Sequence, residues 1–346
     1  MKIIFMGTPT FAVPSLEALV KHHQVLAVCT QPDRPAGRGH KLAQSPVKVK
    51  ALEYSLPVLQ PETLRINQSK EIRATLKAYN ADIFVVAAYG LLLPKGVLNM
   101  PPLGCINVHG SLLPKYRGAS PIHAALLNGD KKTGITIIHM DSGIDTGDMI
   151  VKKELNILPG ERFPSLHNRM AVLGAEALLE ALALLESGTA PRIPQDDALS
   201  SYAPMLQKTD ALINWEWPTD KIINMTRALD PWPGPYTMYE GRPLKIWTLE
   251  REHSTDPRFG LVENISSCCG VDSVGPKIEP TEIAKTRPGT IIAVDPKKGV
   301  LVKTGDSAAW VTEMQGDGSK RIAATDYLRG RKIEVGVVLE MEKTKC

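Results

Sequence analysis

Residues 82–90, DIFVVAAYG, form an apolar run of strand length that ends at Gly90. Both alternating sides of this run are apolar, which is typical of a strand covered on both faces within a parallel sheet. The segment before it, SKEIRATLKAYN at residues 69–80, has the apolar spacing of an amphipathic helix. A buried strand that follows such a helix predicts an α/β unit.

The same alternation extends on both sides of this unit. At the start of the chain, KIIFMG, VPSLEALVKH and VLAVCTQ indicate strand, helix and strand, and GCINVH and TGITIIHMD indicate further strands. Residues 164–188 have the pattern of a long helix that ends at Gly188. We therefore predict an α/β domain over residues 1–188, built on a mostly parallel sheet with helices on both faces.

The second half of the chain has a different residue pattern, without the alternation of strands and helices. Residues 189–206 are rich in Pro, Ser and Asp, without periodicity, and predict a linker. Short strand candidates follow, namely PYTMY, RPLKIWTLE, GTIIAVD, GVLVKTG and AAWVTEMQ. Their spacing favours a small antiparallel barrel over residues 207–335, interrupted by a long loop at 251–287 and followed by a tail at 336–346.

Composition excludes several classes of protein. Of 346 residues, 43% are hydrophobic and 23% charged, which predicts neither a disordered nor a fibrous chain. The net charge of +4 does not indicate whether the protein binds nucleic acid. The longest apolar run, residues 83–94, is shorter than the roughly 20 residues of a membrane-spanning helix. The odd set of five cysteines has no C-x-x-C spacing, which argues against a disulfide framework or a zinc site. A cytoplasmic protein without membrane contact is the expectation.

Polar residues end the strand at GCINVH. Asn107 and His109 are two residues apart, so their side chains project from the same face of the strand. An amide and an imidazole can both donate hydrogen bonds to the oxygen of a carbonyl under attack. A hydrogen-bonded structural histidine is the alternative. Pro114 and Gly118 in the following SLLPKYRG keep the chain in a loop close to this pair.

A second polar loop, MDSGIDTGDMI at residues 140–150, contains Asp141, Asp145 and Asp148. A carboxylate from this loop can orient the imidazole and favour its protonated form. His139 and Asp141 also have the spacing of a metal-binding pair, but no third ligand of suitable spacing follows, so no metal is predicted.

Several motifs together resemble the formyltransferases that use 10-formyltetrahydrofolate. The motifs span nearly the whole chain and are FMGTPTFAVPSLEAL, TQPDRPAGRGHKL, AAYGLLLP, SLLPKYRGASPI, GIDTGDM and DPWPGPYTMYEGRPLKIW. Within this group they are most similar to the methionyl-tRNA formyltransferase family, which has a second domain that glycinamide ribonucleotide formyltransferases lack. The resemblance implies a Rossmann-like catalytic domain, an OB-like β-barrel domain, and formylation of the methionine amino group on initiator methionyl-tRNA for translation initiation.

The resemblance also implies site residues. Asn107, His109 and Asp145 match the catalytic triad of the family. The folate would lie along residues of two loops, namely Ser111, Leu112, Leu113, Pro114, Tyr89, Gly90 and Leu91. The formyl donor, 10-formyltetrahydrofolate, is the co-substrate, and the chemistry requires no metal.

The sequence signal for residues that contact tRNA is less specific than that for the catalytic residues. Residues 30–51 contain Arg34, Arg38, Lys41, Lys48 and Lys50 against the single Asp33, and from the residues alone a solvated loop and an RNA contact both stay open. The resemblance implies that Arg34, Arg38 and Lys41 meet the acceptor end of the tRNA. Where relatives commonly have a lysine this chain has Met205, so one backbone contact is either missing or replaced by Lys208. Further candidates for phosphate contacts are Arg321, Arg329, Arg331 and Lys332.

Two alternatives stay open at this point. In one, the folate site passes the formyl group to a small amine or to water, and the second domain is dispensable. In the other, the chain is an RNA-binding protein whose formyltransferase-like domain is inactive. A monomer is expected in each case.

Overall fold

A computed structural model of the chain describes residues 1–36, 41–65, 69–252 and 286–341. The chain forms two compact units, of which the first comprises residues 1–125, 131–159 and 165–205 and the second comprises 126–130, 160–164 and 206–346. Most of the predicted loop at 251–287 lies outside the described residues, as do Cys268, Cys269 and Cys346.

The first unit is built on a seven-stranded sheet in the order β5-β2-β1-β6-β7-β8-β9. The first nine strands are β1 (Lys2–Gly7), β2 (Gln24–Cys29), β3 (Arg34–Ala36), β4 (Lys41–Ala43), β5 (Val58–Leu59), β6 (Ile83–Ala87), β7 (Cys105–His109), β8 (Lys132–His139) and β9 (Met149–Asn156). Strands β5, β2, β1, β6 and β7 run parallel, whereas β8 and β9 are antiparallel additions at one edge. Strands β3 and β4 form a separate antiparallel pair. The predicted α/β class with a mostly parallel sheet is confirmed.

The helices of this half of the chain are α1 (Val13–His22), α2 (Pro46–Glu53), α3 (Lys70–Ala78), α4 (Lys95–Leu98), α5 (Pro121–Leu127) and α6 (Phe163–Glu186). The helices predicted at 69–80 and 164–188 are confirmed as α3 and α6. Strand β6 is buried along its whole length, and Phe84 packs with Leu76 of α3 and Val97 of α4 in one apolar cluster. This packing fixes where the loops after β6 and β7 leave the sheet.

The second unit is antiparallel. It contains α7 (Thr219–Ala228), β10 (Tyr236–Tyr239), β11 (Arg242–Arg251), β12 (Ile291–Asp295), β13 (Gly299–Lys303), β14 (Ala308–Gly316), β15 (Ile322–Ala323) and α8 (Ala324–Gly330). The sheet has the order β10-β11-β14-β13-β12, with β15 paired to β14. All five strand candidates are confirmed. Helix α7 has no counterpart in the prediction.

The segment predicted as a tail closes this sheet. Met238 of β10 exchanges backbone hydrogen bonds with Glu340 at 3.0 and 2.9 Å, and Gly336 N–H donates to the carbonyl of Ile291 in β12 at 2.8 Å. Residues 336–340 therefore bridge the two edge strands, which makes the sheet barrel-like.

The segment predicted as a linker lies along the first unit. Ile193 forms an antiparallel bridge with Met149, and Tyr202 forms a parallel bridge with Arg117. Ala203 is buried. The irregular sequence of residues 189–206 is compatible both with a linker and with an irregular segment packed on a domain, so composition alone does not distinguish the two. None of the described helices is both long enough and apolar enough to cross a membrane.

Candidate active site

Asn107 and His109 lie on β7, between β6 and β8 in the sheet. Both side chains project from one face of the strand, as the spacing predicts. His109 is 4% exposed, whereas Asn107 is half-buried. The pair is therefore held rigidly by a strand with neighbours on both sides.

Asp145 lies over the same face and contacts both residues. Its Oδ1 accepts a hydrogen bond from Nδ2 of Asn107 at 3.2 Å and lies 3.4 Å from Nδ1 of His109. Its Oδ2 accepts from the backbone N–H of Gly118 at 2.9 Å. The structure thus brings together the three residues that the sequence predicts as a catalytic group.

The environment of Asp145 keeps its carboxylate ionised. Burial opposes ionisation, but the hydrogen bond and charge of His109, the Gly118 N–H and the Asn107 amide outweigh it, so the pKa of Asp145 lies below its usual range. An ionised Asp145 can hold the His109 ring in one orientation and stabilise an imidazolium.

The other ring nitrogen of His109 is also engaged. Nε2 lies 2.9 Å from the carbonyl oxygen of Tyr116, to which it donates. Tyr116 has a left-handed backbone with φ of 63°, an uncommon conformation for a residue with a bulky side chain. The loop after β7 therefore folds back over His109.

Three hydrogen bonds fix this returning loop. Ser111 Oγ donates to the carbonyl of Lys115 at 2.6 Å, Leu113 N–H donates to Thr136 Oγ1 at 3.1 Å, and Lys152 Nζ donates to the carbonyl of Leu113 at 2.6 Å. The loop is therefore anchored to β8 and β9.

The loop that carries Asp145 follows a path that the sequence did not predict. Because β8 runs antiparallel to β7, its last residue, His139, lies opposite Ile106 and not beside His109. The loop returns along the face of β7 and places Asp145 there, with a left-handed φ of 56° that Asp tolerates better than most residues. The site therefore lies over the strand face as well as at its end.

Gln195 holds this loop in place, and sequence reasoning missed it. Its Nε2 donates to the backbone carbonyls of Asp145 at 2.8 Å and Gly147 at 2.9 Å. Its Oε1 accepts from Nε of Arg117 at 3.0 Å. One amide thus connects the segment around residue 195 to the two loops that form the site. No local pattern in the sequence signals it, because its partners are 48 to 78 residues away.

The loops after β1 and β6 meet at the point where strand order reverses. Thr8 Oγ1 and Gln31 Nε2 donate to the carbonyl of Tyr89 at 2.9 and 3.2 Å. Strand β1 pairs with β2 on one side and β6 on the other, so this is the place at which α/β sheets commonly bind ligands.

The residues predicted along the folate are only partly accessible. The side chains of Tyr89, Ser111 and Leu113 are 2%, 0% and 0% exposed, so they support the loops from inside, and burial raises the pKa of the Tyr89 phenol. Leu112, Pro114 and Leu91 are half-buried, and Gly90 is exposed with φ of +81°. Two further exposed apolar residues are Leu92, in the loop after β6, and Ile144, in the loop between β8 and β9.

The predicted tRNA residues have different surroundings. Arg34 is exposed on β3, and Lys208 is exposed in a short 3₁₀ helix. Arg38 lies outside the described residues, as does the side chain of Lys41.

Two further lysines of that stretch belong to a helix. Lys48 pairs with Asp33 at 2.6 Å, and Lys50 pairs with Glu17 at 3.2 Å and Glu53 at 2.7 Å. Both lie in α2, whose first turn is capped by Ser45. The Ser-Pro sequence at 45–46 is a helix-start signal that could have identified this.

The four cationic candidates near the C-terminus are all engaged within the second unit. Arg321 pairs with Asp230 and Glu313, Arg329 with Asp326, and Lys332 with Glu334, while Arg331 lies over the ring of Tyr327. Arg321 joins two carboxylates and acts as a structural cross-link. The other contacts are exposed and contribute little to stability.

The possible metal pair does not form a metal site. Within the described ranges, no three His, Cys, Asp or Glu side chains are grouped so that they could hold an ion. His139 is buried, and burial together with the charge of Arg192 lowers its pKa, although Asp148 opposes this.

The fold and the site define a two-domain α/β enzyme with an Asn-His-Asp group suited to acyl transfer. The chain matches the family model described as formyl transferase over residues 1–182 and the formyl transferase C-terminal domain over residues 205–332. It is 46% identical over 337 residues to the methionyl-tRNA formyltransferase of Ruminiclostridium cellulolyticum, covering 97% of this chain and 98% of the relative. It is 44% identical over 340 residues to that of Geobacter metallireducens, covering 98% of each. The chain belongs to the methionyl-tRNA formyltransferase family.

Solved structures share the fold at low sequence identity. An N-formyltransferase from Helicobacter canadensis, in complex with folinic acid and dTDP-3-aminofucose, matches with a TM-score of 0.60 and 16% identity over 93% of this chain and 100% of its own. HypX from Aquifex aeolicus in complex with tetrahydrofolic acid matches with a TM-score of 0.56 and 16% identity, over 97% of this chain and 50% of its own.

Proposed function

We propose that this chain transfers the formyl group of 10-formyltetrahydrofolate to the amino group of methionine on initiator methionyl-tRNA. The observation that supports this most directly is the Asn107, His109 and Asp145 cluster, in a chain related over almost its full length to methionyl-tRNA formyltransferases. The relatives decide between acceptors that the cluster alone does not distinguish.

The reaction needs an oxyanion stabilised and a proton moved. The neutral amino group attacks the formyl carbon, and the carbonyl oxygen becomes an oxyanion as the tetrahedral centre forms. When the bond between this carbon and N10 breaks, the nitrogen of methionine has lost a proton and N10 has gained one. No oxidant or covalent enzyme intermediate is needed.

Asn107 is the first donor to the oxyanion. An amide nitrogen has two hydrogens, and the bond to Asp145 uses one of them. The other is available to the formyl oxygen. Removing one such donor typically lowers kcat by about 10² to 10³, or ~2.7–4 kcal/mol.

His109 is the second donor. In the structure its Nε2–H donates to the Tyr116 carbonyl, and this bond is exchanged for one to the formyl oxygen when substrate is bound. Asp145 holds Nδ1 and helps to organise water for the proton transfer.

The folate fits the crevice between the loops after β1 and β6. Apolar Leu92, in the loop after β6, is 75% exposed, which suits the flat pterin ring, and Gly90 lets the backbone approach a ligand closely. Among the predicted folate residues, Ser111, Leu113 and Tyr89 have buried side chains and would hold the loops in shape from inside.

On the tRNA side, Arg34, Arg38, Lys41 and Lys208 stay proposed contacts to the acceptor end and its phosphates. Sequence-specific contact with RNA favours unpaired nucleotides, which suits the basic sequence around residues 34–41. A monomer and a cytoplasmic location stay predictions.

The test compares His109→Ala with His22→Ala, a control at an exposed histidine on α1. We expect His109→Ala to lower formylmethionyl-tRNA production by about 10² to 10³, whereas His22→Ala leaves it unchanged. Folate binding and thermal unfolding of both variants check that the fold is intact. Equal activity of the two variants, with both folded, would exclude the proposed role of His109.

A further inference from the structure

A cavity of about 690 Å³ lies between α3 and α4, in the first unit and apart from the Asn-His-Asp cluster. Helix α3 lines it with four residues and the α4 region with three. They are Lys70, Arg73, Ala74, Lys77, Gly96, Asn99 and Met100. The cavity therefore has three cationic side chains and no acidic one in its lining.

The helical period explains this arrangement. Lys70, Arg73 and Lys77 are spaced at i, i+3 and i+7, so they form one stripe along α3. The side of the helix next to this stripe is in the apolar core, where Leu76 is 1% exposed. One face of α3 thus stabilises the fold, and an adjacent face presents positive charge to the cavity.

Arg73 has hydrogen-bonding capacity that the protein does not use. Its Nε is buried and has no hydrogen-bond partner among the described residues. Its guanidinium is packed beside α4, since a Cβ built at Gly96 would lie 2.5 Å from Nη2. A buried donor without an acceptor is unfavourable.

The charges are unpaired as well. Within the described ranges, no carboxylate lies within salt-bridge distance of Lys70, Arg73 or Lys77. By contrast, Lys48 and Lys50 on α2 both pair with acidic residues. Three unpaired cations around one concave surface attract an anion, and a guanidinium beside two ammonium groups suits a multiply charged oxyanion.

We propose that this cavity is a second binding site, specific for a phosphate group. A phosphate has more acceptor oxygens and more negative charge than a carboxylate, so it can accept hydrogen bonds from the Arg73 guanidinium and from both lysines together. The phosphate comes either from a free phosphate compound or from the backbone of an RNA. The site is independent of formyl transfer, so its test does not depend on the proposed reaction.

The experiment uses the full chain and inorganic phosphate as the probe, with binding followed by calorimetry or NMR. Arg73→Gln removes the guanidinium, and we expect it to weaken phosphate binding about tenfold. Gly96→Ala keeps all charges but displaces the guanidinium, and should weaken binding as well. Lys132→Ala is the charge-matched control, because Lys132 is 62% exposed and pairs with Glu154 elsewhere.

A second arm repeats the titration with uncharged tRNA. Weakened binding of phosphate alone in Arg73→Gln assigns the site to a free phosphate compound, whereas weakened binding of tRNA assigns it to RNA. If Arg73→Gln and Lys132→Ala bind both probes equally well, the proposal is wrong. Thermal unfolding of each variant confirms that the comparison is between folded proteins.

Discussion

Gln195 offers a test of how the active-site loops are held. In the structure, one side-chain amide donates to the carbonyls of Asp145 and Gly147 and accepts from Arg117. Gln195→Leu has a similar size but can make none of these bonds. We therefore expect the loop that carries Asp145 to lose its fixed position over β7.

The magnitude follows from the bonds that are lost. Each neutral hydrogen bond contributes about 1 kcal/mol net, and Gln195 is half-buried, so water replaces part of what is lost. A net loss of ~1–2 kcal/mol in loop ordering corresponds to about a 5- to 30-fold lower kcat. Gln195→Glu keeps the acceptor for Arg117 but turns a carboxylate toward two carbonyl oxygens, so it should lose activity too.

The assay is single-turnover formylation of methionyl-tRNA, with folate binding and unfolding temperature measured on the same preparations. The expected pattern is a lower rate constant for the chemical step with nearly unchanged folate affinity. If Gln195→Leu keeps the full rate while its fold is intact, Gln195 does not position the catalytic loop and this reasoning is refuted.

Two further predictions concern Asp145 and Gly118. The lowered pKa of Asp145 means that its ionised form stabilises the fold above its unfolded-state pKa of ~3.9 and that this contribution is lost as pH falls through the folded-state value. Denaturant unfolding across that pH range should therefore show that the unfolding free energy of Asp145→Asn falls less steeply with pH than that of the original chain. If both proteins show the same pH dependence, the result argues against the ion pair. Gly118 has φ of +107°, and an added Cβ would lie 2.7 Å from the Tyr202 ring, so Gly118→Ala should lower the unfolding free energy by ~1–3 kcal/mol and shift the N–H bound to Asp145. An alanine variant with unchanged unfolding and unchanged kcat would contradict this.

Local patterns predicted the elements that are stabilised locally. The apolar run at 82–90 and the amphipathic pattern at 69–80 predicted β6 and α3. This was possible because the burial of a strand or of one helix face determines the residue types along a short run of consecutive positions. The Asn107 and His109 pair followed from the two-residue period of a strand. Motif resemblance then supplied Asp145 from a loop 36 residues further along.

Long-range backbone contacts were beyond such patterns. Residues 336–340 close the second sheet through hydrogen bonds to Met238 and Ile291, and their apolar sequence does not show which strands they pair with. Gln195 acts on carbonyls 48 and 50 residues away in a segment whose composition indicates a linker. In both cases the contact depends on where the folded chain passes, and not on the residue types near it.

Accessibility was the other quantity that the sequence did not provide. Tyr89 and Leu113 belong to motifs of the site, yet the structure buries their side chains, and Lys48 and Lys50 belong to a basic stretch, yet both pair with carboxylates. A motif identifies which segment takes part, whereas packing decides which atoms of it a ligand can reach.

Release of tetrahydrofolate from 10-formyltetrahydrofolate by the purified protein tests the central claim most directly. The reaction is run with uncharged initiator tRNA and with its methionylated form, and formylmethionine is quantified after the tRNA ester is cleaved. We predict release only with the methionylated tRNA, with one formylmethionine for each tetrahydrofolate. Release at the same rate with both tRNAs, or without tRNA, would contradict the account and assign the chain to hydrolysis or to a small-molecule acceptor.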